Sequence, residues 1–242
     1  MTIPTTAVIY SLDKEMVFLK NDIEVQETRN LGKGTIETCT CQGNMFYLVK
    51  AGVGGDQVVR ALEGVVKAVK PKRIILAGYA GSADPELKVG KVIIPEKVIT
   101  LDSKVETIPV NSVIDLPPGA DYRSNITLCT VPGLCFKKDK RKLRKELGPN
   151  LAVDMESGFC GEWTRKKGIP FTVVKAISDG YDTALPSAEF VTSFFEKKQQ
   201  GGQLLKQMIL HPVQYRRLAG LNKGCIAAAH SLSRILKEIL TA

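Results

Sequence analysis

The chain has 242 residues, 44% of them hydrophobic and 24% charged, an ordinary globular composition that fits one α/β domain. Its 34 Lys and Arg outnumber 25 Asp and Glu for a formal charge of +9, a balance that could meet nucleic acid, an anionic membrane or an acidic partner. Much of the surplus sits in the run Lys137–Lys145, which lacks the interleaved aromatics of an RNA-binding module and predicts a solvated helix face instead.

Along the chain, strands and helices alternate. Ala7-Val8-Ile9-Tyr10 is a short apolar strand, and Asp13 to Lys20 reads as helical. Met45 to Ala51 is strand-like and runs into Gly52-Val53-Gly54-Gly55. Val58, Val59, Leu62, Val65, Val66 and Val69 then recur at helical spacing until Pro71 ends the pattern. Arg73-Ile74-Ile75-Leu76-Ala77 is a buried strand that enters Gly78-Tyr79-Ala80-Gly81. Lys91 to Pro95, Lys97 to Leu101 and Ile126 to Val131 read as further strands, the last preceding the basic helix. Leu151-Ala152-Val153 leads into a helix from about Met155 to Lys167, and Gly168-Ile169-Pro170 turns the chain into the strand Phe171–Ala176. Residues 187–240 read as helical with a break at His211-Pro212. Such alternation predicts a largely parallel sheet covered on both faces, in one domain spanning residues 1–242 with a helical C-terminal extension from about 187.

Several function classes fall away. No apolar run approaches the ~20 residues that a bilayer span needs, and the first ten residues lack the basic start and apolar core of an export signal. The six cysteines, at 39, 41, 129, 135, 160 and 225, are irregularly spaced, which predicts reduced thiols in a cytoplasmic protein. Cys39-Thr40-Cys41 is too tight for a zinc pair and the two histidines are His211 and His230, so neither a metal nor another cofactor is expected. Gly52-Val53-Gly54-Gly55 has neither the glycine spacing nor the following acid of a dinucleotide site. Neither a nucleophile-elbow serine nor a phosphate-loop lysine motif occurs.

The informative segments are Asp154-Met155-Glu156 and Ser178-Asp179, acids placed where apolar strands end. Carboxylates there are costly to bury and frequent where α/β proteins bind ligands; a helix N-cap is the alternative for each alone. Ser11-Leu12-Asp13-Lys14-Glu15, Ala51-Gly52-Val53-Gly54, Ala77-Gly78-Tyr79-Ala80-Gly81 and Leu87-Lys88-Val89-Gly90-Lys91 precede them in order. Together these motifs, over residues 7–182, resemble the purine nucleoside phosphorylase and nucleosidase superfamily, closest to the 5′-methylthioadenosine/S-adenosylhomocysteine nucleosidases. Leu210-His211-Pro212 and the small-residue stretch Ala227-Ala228-Ala229 are similar to the hopanoid-associated branch that removes adenine from adenosylhopane.

The resemblance implies a three-layer α/β/α sandwich with a mixed, largely parallel central sheet, the nucleoside phosphorylase-like fold. It implies hydrolysis of the N-glycosidic bond of a 5′-modified adenosine, with Asp179 protonating the departing base and Glu15 activating water. Substrate binding falls to Gly81, Phe136, Met155, Glu156 and Ser178: Glu156 to the ribose hydroxyls, Met155 against the sugar, Phe136 on the purine and Ser178 beside the acid. For Met155 and Phe136, plain core filling is the alternative; for Glu15, a helix-face glutamate. Tyr79 stands where the family carries Ser or Thr, Asp154 where the nucleosidases have Glu, and Leu76 where hexameric phosphorylases carry a phosphate-binding arginine. The last departure favours water over phosphate as nucleophile, a phosphorylase or a non-catalytic nucleoside-binding protein being the alternatives. The implied partners are a purine nucleoside and a second copy in a homodimer, without nucleic acid. The amphipathic residues 203–240 could rest on an anionic membrane surface, although closing a sheet edge or a dimer contact is the favoured reading.

Overall fold

In the computed structural model, residues 5–31, 34–101, 108–109, 116, 119–191 and 210–241 are described. β1 (Thr6–Tyr10), β2 (Glu24–Leu31), β3 (Gly34–Cys41) and β4 (Asn44–Lys50) precede α1 (Gly55–Val69) and the long β5 (Arg73–Ser82). The short β6 (Val92–Ile93), β7 (Lys97–Thr100), β8 (Ile108–Pro109), β9 (Tyr122–Arg123) and β10 (Thr127–Thr130) follow. Then come α2 (Lys137–Leu147), β11 (Leu151–Asp154), α3 (Ser157–Lys167), β12 (Phe171–Asp179) and α4 (Pro212–Thr241). The strands form one mixed sheet in the order β2-β3-β4-β1-β5-β11-β10-β7-β8, with β12 on β5 and β6, and β9 on β6. Its centre, β4, β1, β5 and β12, is parallel.

Three layers follow from strand alternation. Ala7, Ile9, Ile74, Leu76, Val173 and Ile177 face α1 and α3, packing with Leu62, Val65 and Cys160. Their neighbours Val8, Tyr10, Ile75, Ala77, Val174 and Ala176 face the opposite way, onto Leu232, Ile235, Leu236 and Ile239 of α4. Further along the sheet, Cys129, Leu151 and Val153 pack on that same side with Leu143 of α2. A residue shift of one reverses the face a side chain occupies, so each central strand needs apolar residues throughout and reads as a continuous run.

Four differences from the sequence expectation matter. Asp13 to Lys20 forms two short 3-10 turns, Asp13–Glu15 and Leu19–Asn21, rather than one helix. The β2–β3 hairpin carries no apolar run that announces it; β2 is exposed at all but its last residue. β5 continues five residues past Ala77 and β12 three past Ala176, so the glycine motif and Ser178-Asp179 lie inside strands. The basic helix does not present a wholly solvated face, for Lys140 within it is buried completely.

β5 changes partners along its length, and this positions the site. Up to Leu76 it pairs with β1, and along Ile74–Gly81 with β12. At Gly81 and Ser82 it also pairs with β11, which runs the other way. Between Ile177 and Asp179 the β12 register slips by one, a bulge that sets Asp179 opposite Gly81. Val153 and Asp179 thereby flank Gly81 from its two sides. A change of strand partner of this kind is where α/β proteins commonly bind ligands.

The C-terminal half of α4 spends its apolar face on the sheet, burying Ala228, Ala229, Leu232, Ile235, Leu236, Ile239 and Leu240. That half closes the sheet rather than offering an amphipathic face. Residues 203–209 of the amphipathic stretch lie outside the described residues. No described helix is long and apolar enough to cross a membrane.

Candidate active site

Glu15 sits in the turn just after β1 and is buried. Its Oε2 accepts the backbone N–H groups of Ser11 and Leu12, both at 2.8 Å, and its Oε1 that of Tyr79 at 3.0 Å. Three donors fix the carboxylate in one orientation, which a solvent-facing helix glutamate would not have. Tyr79 adds a second tie, its hydroxyl donating to the Lys14 carbonyl at 2.9 Å. Gly78 makes room: its φ is +153°, and a Cβ there would stand 2.6 Å from Glu15 Oε1. Burial pushes the Glu15 carboxyl above its ordinary value; Lys175 and the Leu12 and Tyr79 amides pull down, and Glu156 adds to the rise.

Lys175, opposite Gly78 in the β12–β5 register, is 1% exposed. Its ammonium lies 3.2 Å from Asp154 Oδ2 and 3.6 Å from Glu156 Oε2. Asp154 is held further by Thr130 Oγ1, which donates at 2.8 Å, and by the Ser157 N–H at 3.0 Å. Thr130 itself accepts the Gly158 N–H at 2.7 Å, so β10, β11 and the start of α3 are tied together at this point. The shorter Asp154 side chain thus makes its contacts within the fold. Glu156 Oε1 accepts the Gly54 N–H at 2.9 Å, where the Gly52–Gly55 turn meets α1. Burial raises the Glu156 carboxyl against the pull of Lys175, and Asp154 raises it further. Burial works to lower the Lys175 ammonium, but Asp154, Glu156 and Glu15 outweigh it and the net shift is upward.

On the other flank of Gly81, the Ser178 hydroxyl donates to Asp179 Oδ1 at 3.0 Å. A Cβ on Gly81 would stand 2.9 Å from Asp179 Oδ2, so glycine is what lets this carboxylate lie against the strand. Lys140 from the first turn of α2 pairs with Asp179 Oδ2 and donates to the Gly180 carbonyl at 2.9 Å. Its helix neighbours Lys137 and Arg141 reach Asp182 at 2.9 and 3.2 Å, and Arg144 reaches the buried Asp84 at 2.8 Å. Cys225 of α4 faces both halves: burial, then Asp179 and, against Lys14, Glu15 push its thiol up to about 12.

Of the residues singled out in the sequence, Glu15 and Glu156 share one cluster, and Gly81, Ser178 and Asp179 the other. Met155 lies between Asp154 and Glu156, half-buried and in none of the hydrophobic clusters, which favours a surface role over core filling. Phe136 caps α2, one turn before Lys140, and is likewise outside those clusters. Lys175, Lys140 and Thr130 were missed. A lone lysine in the apolar strand Phe171–Ala176 was the available signal, because lysines are almost never buried unpaired. Cations at 137, 140, 141 and 144 share a helical face with one another, which was the signal for Lys140. Among the described residues, no three His, Cys, Asp or Glu side chains converge to hold a metal ion.

Comparison with known proteins identifies the family and the fold. The family model described as the phosphorylase superfamily matches residues 5–125. Among solved structures, the chain is similar to a 5′-methylthioadenosine/S-adenosylhomocysteine nucleosidase from S. pneumoniae held with a transition-state inhibitor. The TM-score is 0.74 at 14% identity over 98% of each chain. The nucleosidase of Colwellia psychrerythraea, in complex with adenine, gives 0.73 at 15% identity over 99% of this chain and 96% of that one. Futalosine hydrolase of Helicobacter pylori gives 0.72 at 14% identity over 99% and 98%. At such identities the likeness is one of fold.

Proposed function

Because the chain belongs to the phosphorylase superfamily, we propose that it is a nucleosidase that hydrolyses the N-glycosidic bond of a 5′-modified adenosine and releases adenine. Breaking that bond builds positive charge on the ribose and negative charge on the departing base. The Glu15–Glu156–Asp154 side of the site carries a surplus of carboxylate suited to the first. The Asp179 side carries hydrogen-bond donors suited to the second. In this reading Glu15 takes a proton from water as it bonds to C1′, Glu156 accepts from the ribose hydroxyls, and Met155 packs on the sugar. Asp179, oriented by Ser178, delivers a proton to the base, a step typically worth ~10²–10⁴-fold. Phe136, at the head of α2, lies on the purine in this reading.

The observation that carries water over phosphate is the charge around Lys175. Three carboxylates, Asp154, Glu156 and Glu15, already neutralise that one ammonium, and an incoming phosphate would meet a net negative wall. Leu76, where a phosphorylase would place an arginine, lies wholly in the core. A carboxylate raised by burial, as Glu15 is, suits a general base for water. Five cysteines are buried and all six are free, in keeping with a cytoplasmic setting. Leu12 and Val53, exposed beside Glu15 and Gly54, are available to a second copy in a homodimer.

The test is to incubate the protein with 5′-methylthioadenosine, S-adenosylhomocysteine and an adenosylated hopanoid, with and without phosphate. Free adenine and the free 5′-modified ribose are expected without phosphate. A strict phosphate requirement with a ribose 1-phosphate product would make the protein a phosphorylase, and no base release under either condition would overturn the enzyme reading.

A further inference from the structure

We infer that Lys140 supplies the proton that Asp179 delivers to the leaving base, an inference that rests on the nucleosidase reading above. Lys140 is 0% exposed, and its ammonium, with three N–H groups, has three acceptors. These are Asp179 Oδ2, the Gly180 carbonyl at 2.9 Å and the Asp179 carbonyl at 3.4 Å. Asp179 Oδ1 meanwhile accepts from the Ser178 hydroxyl. Asp179 thus meets the Lys140 ammonium on one oxygen and the Ser178 hydroxyl on the other. A base that must be protonated as it leaves needs a donor, and the proton nearest Asp179 is on Lys140. The ammonium and the carboxylate stand together as a buried ion pair without net charge. Such a pair sets a nitrogen-borne proton directly against the carboxylate that faces the base.

The step balances. The C1′–N9 bond breaks with its electron pair left on the base, and the Lys140 proton moves by way of the Asp179 carboxylate to N7, leaving Lys140 a neutral amine. Water bonds to C1′ and its proton goes to Glu15. When products depart, Glu15 returns its proton to solvent and Lys140 takes one up. The clasp of α2 on the turn after β12 keeps this geometry, since Lys137 and Arg141 both hold Asp182.

Other titratable groups facing the couple do not change charge in the working range. Burial pushes the Cys135 thiol, before α2, up to about 11 and the Cys225 thiol of α4 up to about 12. The Lys137 hydrogen bond holds Asp182 below the usual carboxylate range. Asp139 is exposed, and β5 and β11 present Ala80, Gly81 and Val153, none of which titrates.

Lys140 acts through Asp179, so the test must separate proton supply from packing. Lys140→Arg keeps the charge and the ion pair but cannot release a proton, because a guanidinium is never deprotonated in proteins. Adenine release from 5′-methylthioadenosine is compared with nitrophenol release from p-nitrophenyl riboside, whose leaving group needs no proton. In K140R the ratio of the two rates should fall at least ~10²-fold relative to the wild-type protein. In Lys140→Met the carboxyl must carry its own proton, so adenine release, taken relative to the wild-type rate at the same pH, should fall as pH rises from about 5 to 8. An unchanged rate ratio in K140R, or a wild-type pH profile in K140M, overturns the inference while leaving the nucleosidase reading intact. A wild-type protein that releases base from no nucleoside overturns both.

Discussion

Lys175, from the middle of a strand, stands among Asp154, Glu156 and Glu15, whereas Lys140, from a helix, meets the one carboxylate of Asp179. Both ammonium groups are fully buried and both are paired, yet the balance of charge around them differs. Around Lys175 the acids are in surplus, and burial without full compensation lifts Glu15 and Glu156 above the ordinary glutamate range. That half of the site is left wanting protons. Around Lys140 the charges cancel, and the couple has a proton to give. In the proposed reaction the same residue type would serve opposite ends of one bond cleavage, with the number of carboxylates in reach deciding which.

The largest effect expected from breaking this asymmetry is at the proton-accepting end. Glu15→Gln should lower turnover ~10³-fold or more, as for removal of a general base, in a steady-state assay of adenine release. Because Glu15 works ionised and burial raises its folded-state value, wild-type kcat/KM should fall as pH drops through a point above the ordinary glutamate range. An acid limb at or below that range would remove Glu15 from the role.

Next is Lys175→Met, which strands Asp154 and Glu156 in the interior and should cost ~3–5 kcal/mol, read from the midpoint of urea unfolding. Lys140→Met strands a single, slightly more accessible carboxylate and should cost less. An equal or larger cost there would contradict the difference in charge balance. Asp179→Asn leaves the buried Lys140 ammonium without its counter-charge and should lower the unfolding midpoint as well as turnover, the latter by at least ~10²-fold; near wild-type rates would disqualify it as the donor. Gly78→Ala sets a methyl against Glu15 Oε1 at a φ that L residues avoid, and should lower kcat about tenfold through a strain of ~1–3 kcal/mol. A crystal structure of the variant should show Glu15 displaced. Smallest is Asp182→Ala, whose exposed ion pairs contribute little to stability. Its melting temperature should match the wild type, and a clear drop would mean that the α2 clasp carries more than geometry.

Much of the fold was legible because it is written in local periods. The strands of Ala7–Tyr10, Met45–Ala51 and Arg73–Ala77 are continuous apolar runs, as strands buried on both faces must be. α1 announces itself by valines at helical spacing and ends before Pro71. The β2–β3 hairpin was invisible for the converse reason: β2, a charged edge strand, exposes Glu24, Glu27 and Arg29, which guards against pairing with another chain but erases the apolar signal. Asp13 to Lys20 looked helical from composition. Glu15 instead turns back on the backbone, and its carboxylate takes the Ser11 and Leu12 amides, a local competition that spacing does not reveal.

By itself the sequence determined where Glu156 and Asp179 fall, because acids at strand ends follow from where apolar runs stop. It also determined that glycines occupy positions 78 and 81. Tertiary structure alone decided what those groups meet. Asp179 faces Gly81 only because β12 bulges between Ile177 and Asp179. Asp154 reaches Lys175 only because β11 runs against β5 while β12 runs with it. Lys140 is a proton-bearing neighbour of Asp179 rather than one more cation of a solvated helix only because α2 packs Leu143 onto the β10–β11 side of the sheet. Charge and periodicity are properties of a segment, whereas an ion pair is a property of register and packing between segments far apart in the chain.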